Sequence, residues 1–277
     1  MSAASVLRLF PPPQDKVALQ GLYLQASHAQ ADQAAHVYTN FIASLDGRIA
    51  LEQPVSGKRG VPRAITNPHD WRLFQELAAR ADCLLVSARF IRELVQGTAQ
   101  ANLPVSSDPA FADLTLWRIQ QGLPAQPAVV VLSGSLDLPC EQLCNKLQRQ
   151  VYVATGDAAD AAAVAELERH GATMLHVGEG NTVDGARLVA RLAQAGYRNI
   201  YSIAGPVVLE TLLRARVLDR IYLTQVHRLL GGSSYDTLLE GDLLKPPSDF
   251  KLQALYYDDH QGETCGQFFG IYDLTVC

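Results

Sequence analysis

Apolar positions along the chain follow two alternating patterns. Short, almost wholly apolar runs such as Cys83–Val86 and Ala128–Leu132 predict buried strands. Between the runs, apolar residues return every three or four positions, as at Trp71, Phe74 and Leu77, which is typical of helices. The strand and helix signals alternate at intervals of roughly 20–30 residues. The pattern therefore predicts an α/β fold with a mostly parallel central sheet, helices on both faces and an antiparallel C-terminal edge hairpin.

The two ends of the chain differ from this alternating body. Residues 1–35 are rich in Pro, Gln and Ala, and the run Pro11–Pro13 predicts no regular structure there. We expect an extended N-terminal arm, packed on the body or on a partner subunit. Residues 36–277 form a single predicted domain that opens with a strand at His36–Ser44 and ends with two strands around a turn at 260–262. The other strands are predicted at 151–154, 173–177, 199–203 and 220–225, and the helices at 68–81, 88–96, 111–121, 140–148, 158–170, 184–195 and 207–214.

Composition narrows the class of protein. The formal net charge of -5 and the pI near 5.8 argue against a dedicated nucleic-acid binder. No apolar run approaches the roughly 20 residues that span a bilayer, and the N-terminus lacks a signal-peptide core, so we expect a cytoplasmic protein that does not enter a membrane. The five cysteines include Cys140 and Cys144 at a spacing that zinc could use. No second Cys or His pair matches them, so we expect free thiols and no metal site.

Three short turns follow predicted strands and carry small residues. They are Val86–Ala88, Ser133–Ser135 and Ile203–Pro206. Ligands of parallel sheets bind at the carboxyl ends of the strands, where helix N-termini present amide N–H groups. The glycine patterns of Rossmann and P-loop sites are absent. Each turn alone could be a tight connection without a ligand, but three in one chain favour a phosphate-bearing cofactor.

The order of several motifs carries a family resemblance. Phe41–Ala50, with the sequence FIASLDGRIA, resembles the opening strand of the bacterial riboflavin-biosynthesis reductases. Ala81–Val86, the turn Ala204–Pro206 with the later Val217–Leu223, and Leu230–Gly232 are similar to further motifs of that family, in the same order. The resemblance implies a dihydrofolate-reductase-like fold and NADPH as the cofactor. It also implies a small phosphorylated substrate, a phosphoribosylamino-pyrimidine, and a homodimer.

The same resemblance implies residues that hold the cofactor. Ala43 and Ser44 would lie along the nicotinamide, and hydroxyls at positions 133 and 135 would meet the adenosine 2′-phosphate, which favours NADPH over NADH. Arg89 could reach a cofactor phosphate or point to solvent. The full set of expected cofactor residues is Ala43, Ser44, Ser87, Ala88, Arg89, Ser133, Ser135, Ala204, Gly205, Pro206 and Val207.

Substrate contacts are expected on the segment that follows the first family motif. Asp46 is the candidate catalytic residue, since it could orient sugar hydroxyls or relay a proton, although an Asp-Gly turn often bonds its own backbone. Lys58, Arg59 and Arg63 could pair with a substrate phosphate or form a solvated basic loop. Thr66 could bind the nicotinamide amide or the substrate, or cap the next helix.

The chain also departs from the family pattern. The family usually has a Gly and a Thr after the motif that Ala81–Val86 resembles, but this chain has Ser87–Phe90 there and keeps neither. The family's acidic residue before the glycine turn is replaced by Ile203. Two alternatives therefore stay open: a reductase of the same fold that acts on a different pterin, pyrimidine or carbonyl compound, and a non-catalytic nucleotide-binding relative. Affinity for NADPH separates the reductases from the last alternative.

Overall fold

The computed structural model describes residues 4–26, 34–52, 57–99, 103–259 and 265–275. The predicted turn at 260–262 lies outside them. The strands are β1 (Ser5–Phe10), β2 (Asp15–Ala18), β3 (His36–Ser44), β4 (Ala50–Glu52), β5 (Arg59–Gly60), β6 (Cys83–Ser87), β7 (Ala128–Leu132), β8 (Val151–Thr155), β9 (Thr173–His176), β10 (Asn199–Ser202), β11 (Arg220–Val226), β12 (Tyr235–Asp236), β13 (Phe250–Asp258) and β14 (Gln267–Leu274). The helices are α1 (Pro68–Arg80), α2 (Ala88–Val95), α3 (Ala112–Gln120), α4 (Cys140–Leu147), α5 (Ala161–Arg169), α6 (Gly185–Gln194) and α7 (Pro206–Arg214), with a 3-10 turn at Pro109–Phe111.

The chain divides into two compact units. The first comprises Met1–Ala31, Tyr38–Leu77 and Asp219–Cys277, and the second comprises Asp32–Val37 and Ala78–Leu218. The prediction of one domain over 36–277 stays a prediction. The α/β class, with parallel strands, helices between them and an antiparallel C-terminal hairpin, is confirmed.

Six strands of the first unit lie in the order β2-β1-β13-β14-β11-β3. β11 runs parallel to β3, with Val226 opposite Ser44, so the carboxyl ends of these two strands lie side by side. The other neighbours in this order are antiparallel. A separate small sheet pairs β12 with β4 and β4 with β5. These pairings bring the segments after β3 and β11 together.

The second unit holds the parallel part of the fold. Its strands lie in the order β10-β6-β7-β8-β9, and every pair is parallel. The apolar run Cys83–Val86 is completely buried in β6, as expected for a central parallel strand. All carboxyl ends therefore lie at one edge of this unit's sheet. No helix in the described part of the chain is long and apolar enough to cross a membrane.

The N-terminal segment corrects one sequence-based expectation. Residues 5–10 and 15–18 are strands, and the three prolines occupy the turn between them instead of keeping the whole segment irregular. β1 pairs with β13, which lies near the other end of the sequence, so the local sequence could not reveal the partner. The segment that follows packs into the same unit, where Tyr23 is buried against Tyr222 at 4.7 Å between ring centroids.

The first helix anchors this segment. The Asn67 side chain accepts the Asp70 N–H at 2.9 Å, which confirms Asn67 as the predicted cap of α1. Glu76 is fully buried in the same helix. Its carboxylate accepts the backbone N–H groups of Gly21 at 2.6 Å and Tyr23 at 2.9 Å. The N-terminal segment is thus tied to α1 by charge-assisted hydrogen bonds.

Asp70, in the first turn of α1, predicts a pH-dependent stability. Burial of its carboxyl group raises its pKa from 3.8 to about 6, and a hydrogen bond from Thr224 offsets part of this rise. The raised pKa favours folding of the protonated form, so its stabilisation is present below about pH 4 and is lost as the pH rises through about 6. We expect the free energy of unfolding of Asp70→Asn to rise relative to that of wild type by about 2 to 3 kcal/mol when the pH is raised from about 4 to about 8. Urea unfolding at both pH values measures this gain, and an equal stability difference at both would contradict it.

Candidate active site

Asp46 lies in the turn that follows β3 and has an extensive set of hydrogen-bond donors. The Ser44 hydroxyl donates to Asp46 Oδ1 at 2.5 Å. The backbone N–H of Gly231 donates to Oδ2 at 2.9 Å, and that of Leu230 lies 3.2 Å from both carboxylate oxygens. Arg48 forms an ion pair with the same carboxylate. We call Ser44, Asp46, Arg48, Leu230 and Gly231 the Asp46 cluster.

These donors determine the charge state of Asp46. The Ser44 hydrogen bond, the Gly231 and Leu230 amides and the positive charge of Arg48 lower the pKa of Asp46 from 3.8 to about 2, although desolvation acts in the opposite direction. The carboxylate is therefore ionised at neutral pH. The backbone amides that bind Asp46 belong to a segment about 180 residues away, whereas the alternative from sequence was an aspartate that bonds the backbone of its own turn.

Arg48 is held from several sides. Its guanidinium lies 4.5 Å from the ring centroid of Tyr235, in cation–π geometry. It also donates to the Gly232 carbonyl at 3.3 Å. Arg48 belongs to the first family motif, but the motif does not predict its contacts with Asp46 and Tyr235. It and Tyr235 are residues that sequence reasoning missed.

The three cations of the basic loop, Lys58, Arg59 and Arg63, differ in their surroundings. Arg59 forms an ion pair with Asp236, across the small sheet of β5, β4 and β12. Arg63 is exposed, and Lys58 is half-buried. The structure thus places Arg59 on the same small sheet as Tyr235, while Arg63 lies further along the chain at the surface.

Arg228 links the segment around Ala64 to the turn after β3. Its guanidinium donates to the Ala64 carbonyl at 2.6 Å, and its own carbonyl accepts the Leu45 N–H at 2.8 Å. The Arg63–Thr66 segment is thereby tied to the turn that holds Asp46. Thr66 is exposed and donates to the Arg63 carbonyl at 3.2 Å, and Asn67 caps α1 in its place.

The two predicted cofactor residues of the first unit, Ala43 and Ser44, are buried. Ala43 is 3% exposed and Ser44 is fully buried. The Ser44 hydroxyl accepts the Arg48 N–H at 3.0 Å in addition to its bond with Asp46. Ser44 therefore acts within the Asp46 cluster, and a direct contact between Ala43 or Ser44 and a nicotinamide stays a prediction.

In the second unit, the first two predicted turns are occupied by local hydrogen bonds. Ser87 caps α2 by accepting the Phe90 N–H at 3.2 Å, with Ala88 as the first helical residue. Ser133 is buried and accepts the Leu136 N–H at 3.0 Å, and Ser135 accepts the Asp137 N–H at 3.4 Å. Arg89 pairs with Glu93 at 3.0 Å. These bonds give the serines structural roles, and any contact with a cofactor would have to share them.

The third turn differs from the other two. α7 begins at Pro206 behind Gly205, and no described side chain caps it. An added Cβ at Gly205 would meet no atom within 4 Å, and Val207 in the first turn is 63% exposed. Ala204, just before, is buried. The arrangement leaves an open helix N-terminus at a strand end, which suits a phosphate group of a dinucleotide.

A loop at residues 178–184 is a further feature of the second unit. The backbone of residues 180–184 packs directly on three glycines at the ends of β7, β8 and β9, namely Gly134, Gly156 and Gly178. The Asp157 carboxylate accepts the Gly180 N–H at 2.7 Å, which fixes the loop to the turn after β8. The signal in sequence was the repeated glycine after each of these strands.

Among the side chains that the structure describes, no group of three or more His, Cys, Asp or Glu residues could hold a metal ion. The expectation of no metal site stays a prediction.

Solved structures similar to this chain share its fold. A pyrimidine reductase-like protein from Corynebacterium diphtheriae aligns with a TM-score of 0.70 at 18% identity, over 94% of this chain and 100% of its own. Acinetobacter baumannii RibD aligns with a TM-score of 0.60 at 19% identity, over 87% of this chain and 58% of its own. The Saccharomyces cerevisiae riboflavin biosynthesis reductase Rib7 aligns with a TM-score of 0.53 at 15% identity, over 89% and 93%. No curated protein sequence matches the chain. The class is thus the α/β fold that these structures share.

The family follows from the sequence match. The model of the RibD C-terminal domain matches residues 35–258. The chain therefore belongs to the RibD C-terminal domain family, a family of riboflavin-pathway reductases, and the resemblance found in its motifs is confirmed.

Proposed function

We propose that the protein is an NADPH-dependent reductase that acts on 5-amino-6-(5-phosphoribosylamino)uracil or a close relative. The observation that carries the cofactor half is the open N-terminus of α7 in a member of a reductase family. A pyrophosphate there would accept hydrogen bonds from the backbone N–H groups of Gly205 and Val207, and the helix dipole would favour its negative charge. Gly205, Pro206 and Val207 would hold it, with Ser87, Ala88 and Arg89 at the neighbouring strand end.

The first unit would hold the substrate. We propose that the substrate phosphate binds to one or more of Lys58, Arg59 and Arg63, and that Thr66 makes a polar contact with the substrate. The Asp46 cluster lies in the same unit. In the reaction, the sugar ring opens to an imine, a hydride adds to its C1′ carbon, and a proton adds to the nitrogen, which yields a ribitylamino product. NADPH, when bound, would supply the hydride. A homodimer remains part of the proposal.

A charge placed at Val207 tests the cofactor site. Val207→Asp adds a carboxylate to the first turn of α7, where it stabilises the helix but repels a pyrophosphate. We expect NADPH to bind Val207→Asp at least about tenfold more weakly than wild type. Titration calorimetry with NADPH measures the affinity.

The matched control is Val207→Asn, which has nearly the same shape as the aspartate without the charge. We expect it to bind NADPH within about threefold of wild type. Equal affinities for all three proteins would remove α7 from the cofactor site.

The Arg59–Asp236 ion pair favours a second candidate, a reductase of the same fold whose substrate carries no phosphate. A phosphate would have to compete with Asp236 for the Arg59 guanidinium. Turnover of the phosphorylated substrate and of its dephosphorylated form decides between the two. A clear preference for the phosphorylated form supports the first candidate, and the opposite preference supports the second.

A further inference from the structure

Two successive backbone amides of the turn after β11 converge on one side chain. Leu230 and Gly231 both point their N–H groups at the Asp46 carboxylate, at 3.2 Å and 2.9 Å. Successive N–H groups arranged in this way form a concave anion-binding nest. The nest in this chain is filled by the chain's own carboxylate, which lies in the turn after β3, the parallel neighbour of β11.

The Asp46 carboxylate also fixes the position of the Arg48 guanidinium. Arg48 pairs with Asp46, donates to the Gly232 carbonyl at 3.3 Å and lies over the Tyr235 ring. The turn at 230–232 and the Arg48 guanidinium therefore depend on a single negative group. Removal of that group would leave two inward-facing amides and a half-buried cation without their shared partner.

We infer that Asp46 is a positioning residue, whose carboxylate fills the amide nest of Leu230 and Gly231 and thereby fixes this turn and Arg48, and that it neither moves a proton nor binds the substrate phosphate. The inference rests on the proposed reductase function for its kinetic part only. Both carboxylate oxygens are already engaged by donors of the chain, which leaves little capacity for a substrate hydroxyl. Its lowered pKa agrees with this role, because a carboxyl group ionised down to about pH 2 is a poor proton donor at neutral pH.

The test combines Asp46→Asn and Asp46→Ala with a readout that needs no activity. We expect hydrogen exchange at the Leu230 and Gly231 amides to accelerate in both variants. Because about a fifth of the Asp46 side chain is exposed (20%), formate can reach the space left in Asp46→Ala. Formate should slow the exchange of these two amides again. Asp15→Asn, which removes the exposed ion pair with Arg8, is the control and should leave both amides unchanged.

Kinetics separate positioning from proton transfer. We expect kcat/KM to fall on the order of 100-fold in Asp46→Asn, as for a misplaced contact, while the pH profile between about pH 5 and 9 keeps the wild-type shape. An ionisation that is present in wild type and lost in Asp46→Asn would overturn the inference, and so would amide exchange that does not change. If wild type shows no reductase activity, the proposed function fails, and the exchange measurement still decides whether Asp46 fills the nest.

Discussion

Arg118→Met is expected to lower the free energy of unfolding by about 3 to 5 kcal/mol. Arg118 on α3 is completely buried. Its guanidinium donates to the carbonyl oxygens of Pro124 at 2.8 Å, Ala79 at 2.8 Å and Ala81 at 2.7 Å. Two of these belong to the end of α1 and the residue after it, where carbonyl groups lack partners within the helix. Methionine fills a similar volume but leaves these buried carbonyls unsatisfied. Urea unfolding of the two proteins measures the loss.

The matched control for this prediction is Arg169→Met. Arg169 lies on α5 of the same unit, and its side chain is 65% exposed. The same chemical change there should alter the stability by no more than about 0.5 kcal/mol. Similar losses for both variants would mean that the carbonyl contacts of Arg118 contribute nothing beyond removal of a charge.

Gly178→Ala is expected to lower the free energy of unfolding by about 3 kcal/mol or more. An added Cβ would overlap the Thr182 carbonyl oxygen, and would lie 2.8 Å from the Thr182 carbonyl carbon and 3.1 Å from the Asp184 nitrogen. All three atoms are backbone, so no side chain can rotate away. The loop at 178–184 would have to leave the strand ends on which it packs. Thermal and urea unfolding measure the effect.

Gly205→Ala provides the control for the glycine prediction. Its Cβ would meet no atom within 4 Å, and its backbone is extended with φ of -75°. We expect its stability to stay within about 0.5 kcal/mol of wild type. A Gly178→Ala protein as stable as Gly205→Ala would show that the loop does not pack as the structure describes.

The second unit was largely predictable from sequence, because its signals are local. The apolar runs Cys83–Val86 and Ala128–Leu132 each lie within one strand, and both strands are found as expected. α5 begins at Ala161, a few residues later than predicted, since Asp160 caps it by accepting the Ala163 N–H. Parallel order follows from the alternation of such elements.

The first unit was less predictable, because its structure depends on pairings between distant residues. β1 finds its partner in β13, and the small sheet joins residues near 50, 60 and 235. Strands of two or three residues, such as β5 and β12, carry no periodic signal. Their positions are fixed by these partners alone.

The candidate site shows the same division. The three turns of the second unit were located from sequence, but only the structure distinguishes the open α7 from the capped α2. Asp46 was found from its motif, whereas its partners at Leu230 and Gly231 were not. Sequence identifies a carboxylate in a turn, and only the pairing of β3 with β11 shows which donors it meets.

The most direct test of the account is a titration of the purified protein with NADPH and with NADH, followed by the fluorescence of Trp71, Trp117 and the nucleotide. We expect saturable binding of one nucleotide per chain, tighter for NADPH than for NADH. Absence of binding by either nucleotide at millimolar concentration would contradict the reductase proposal and would leave a reductase-family fold with a different activity.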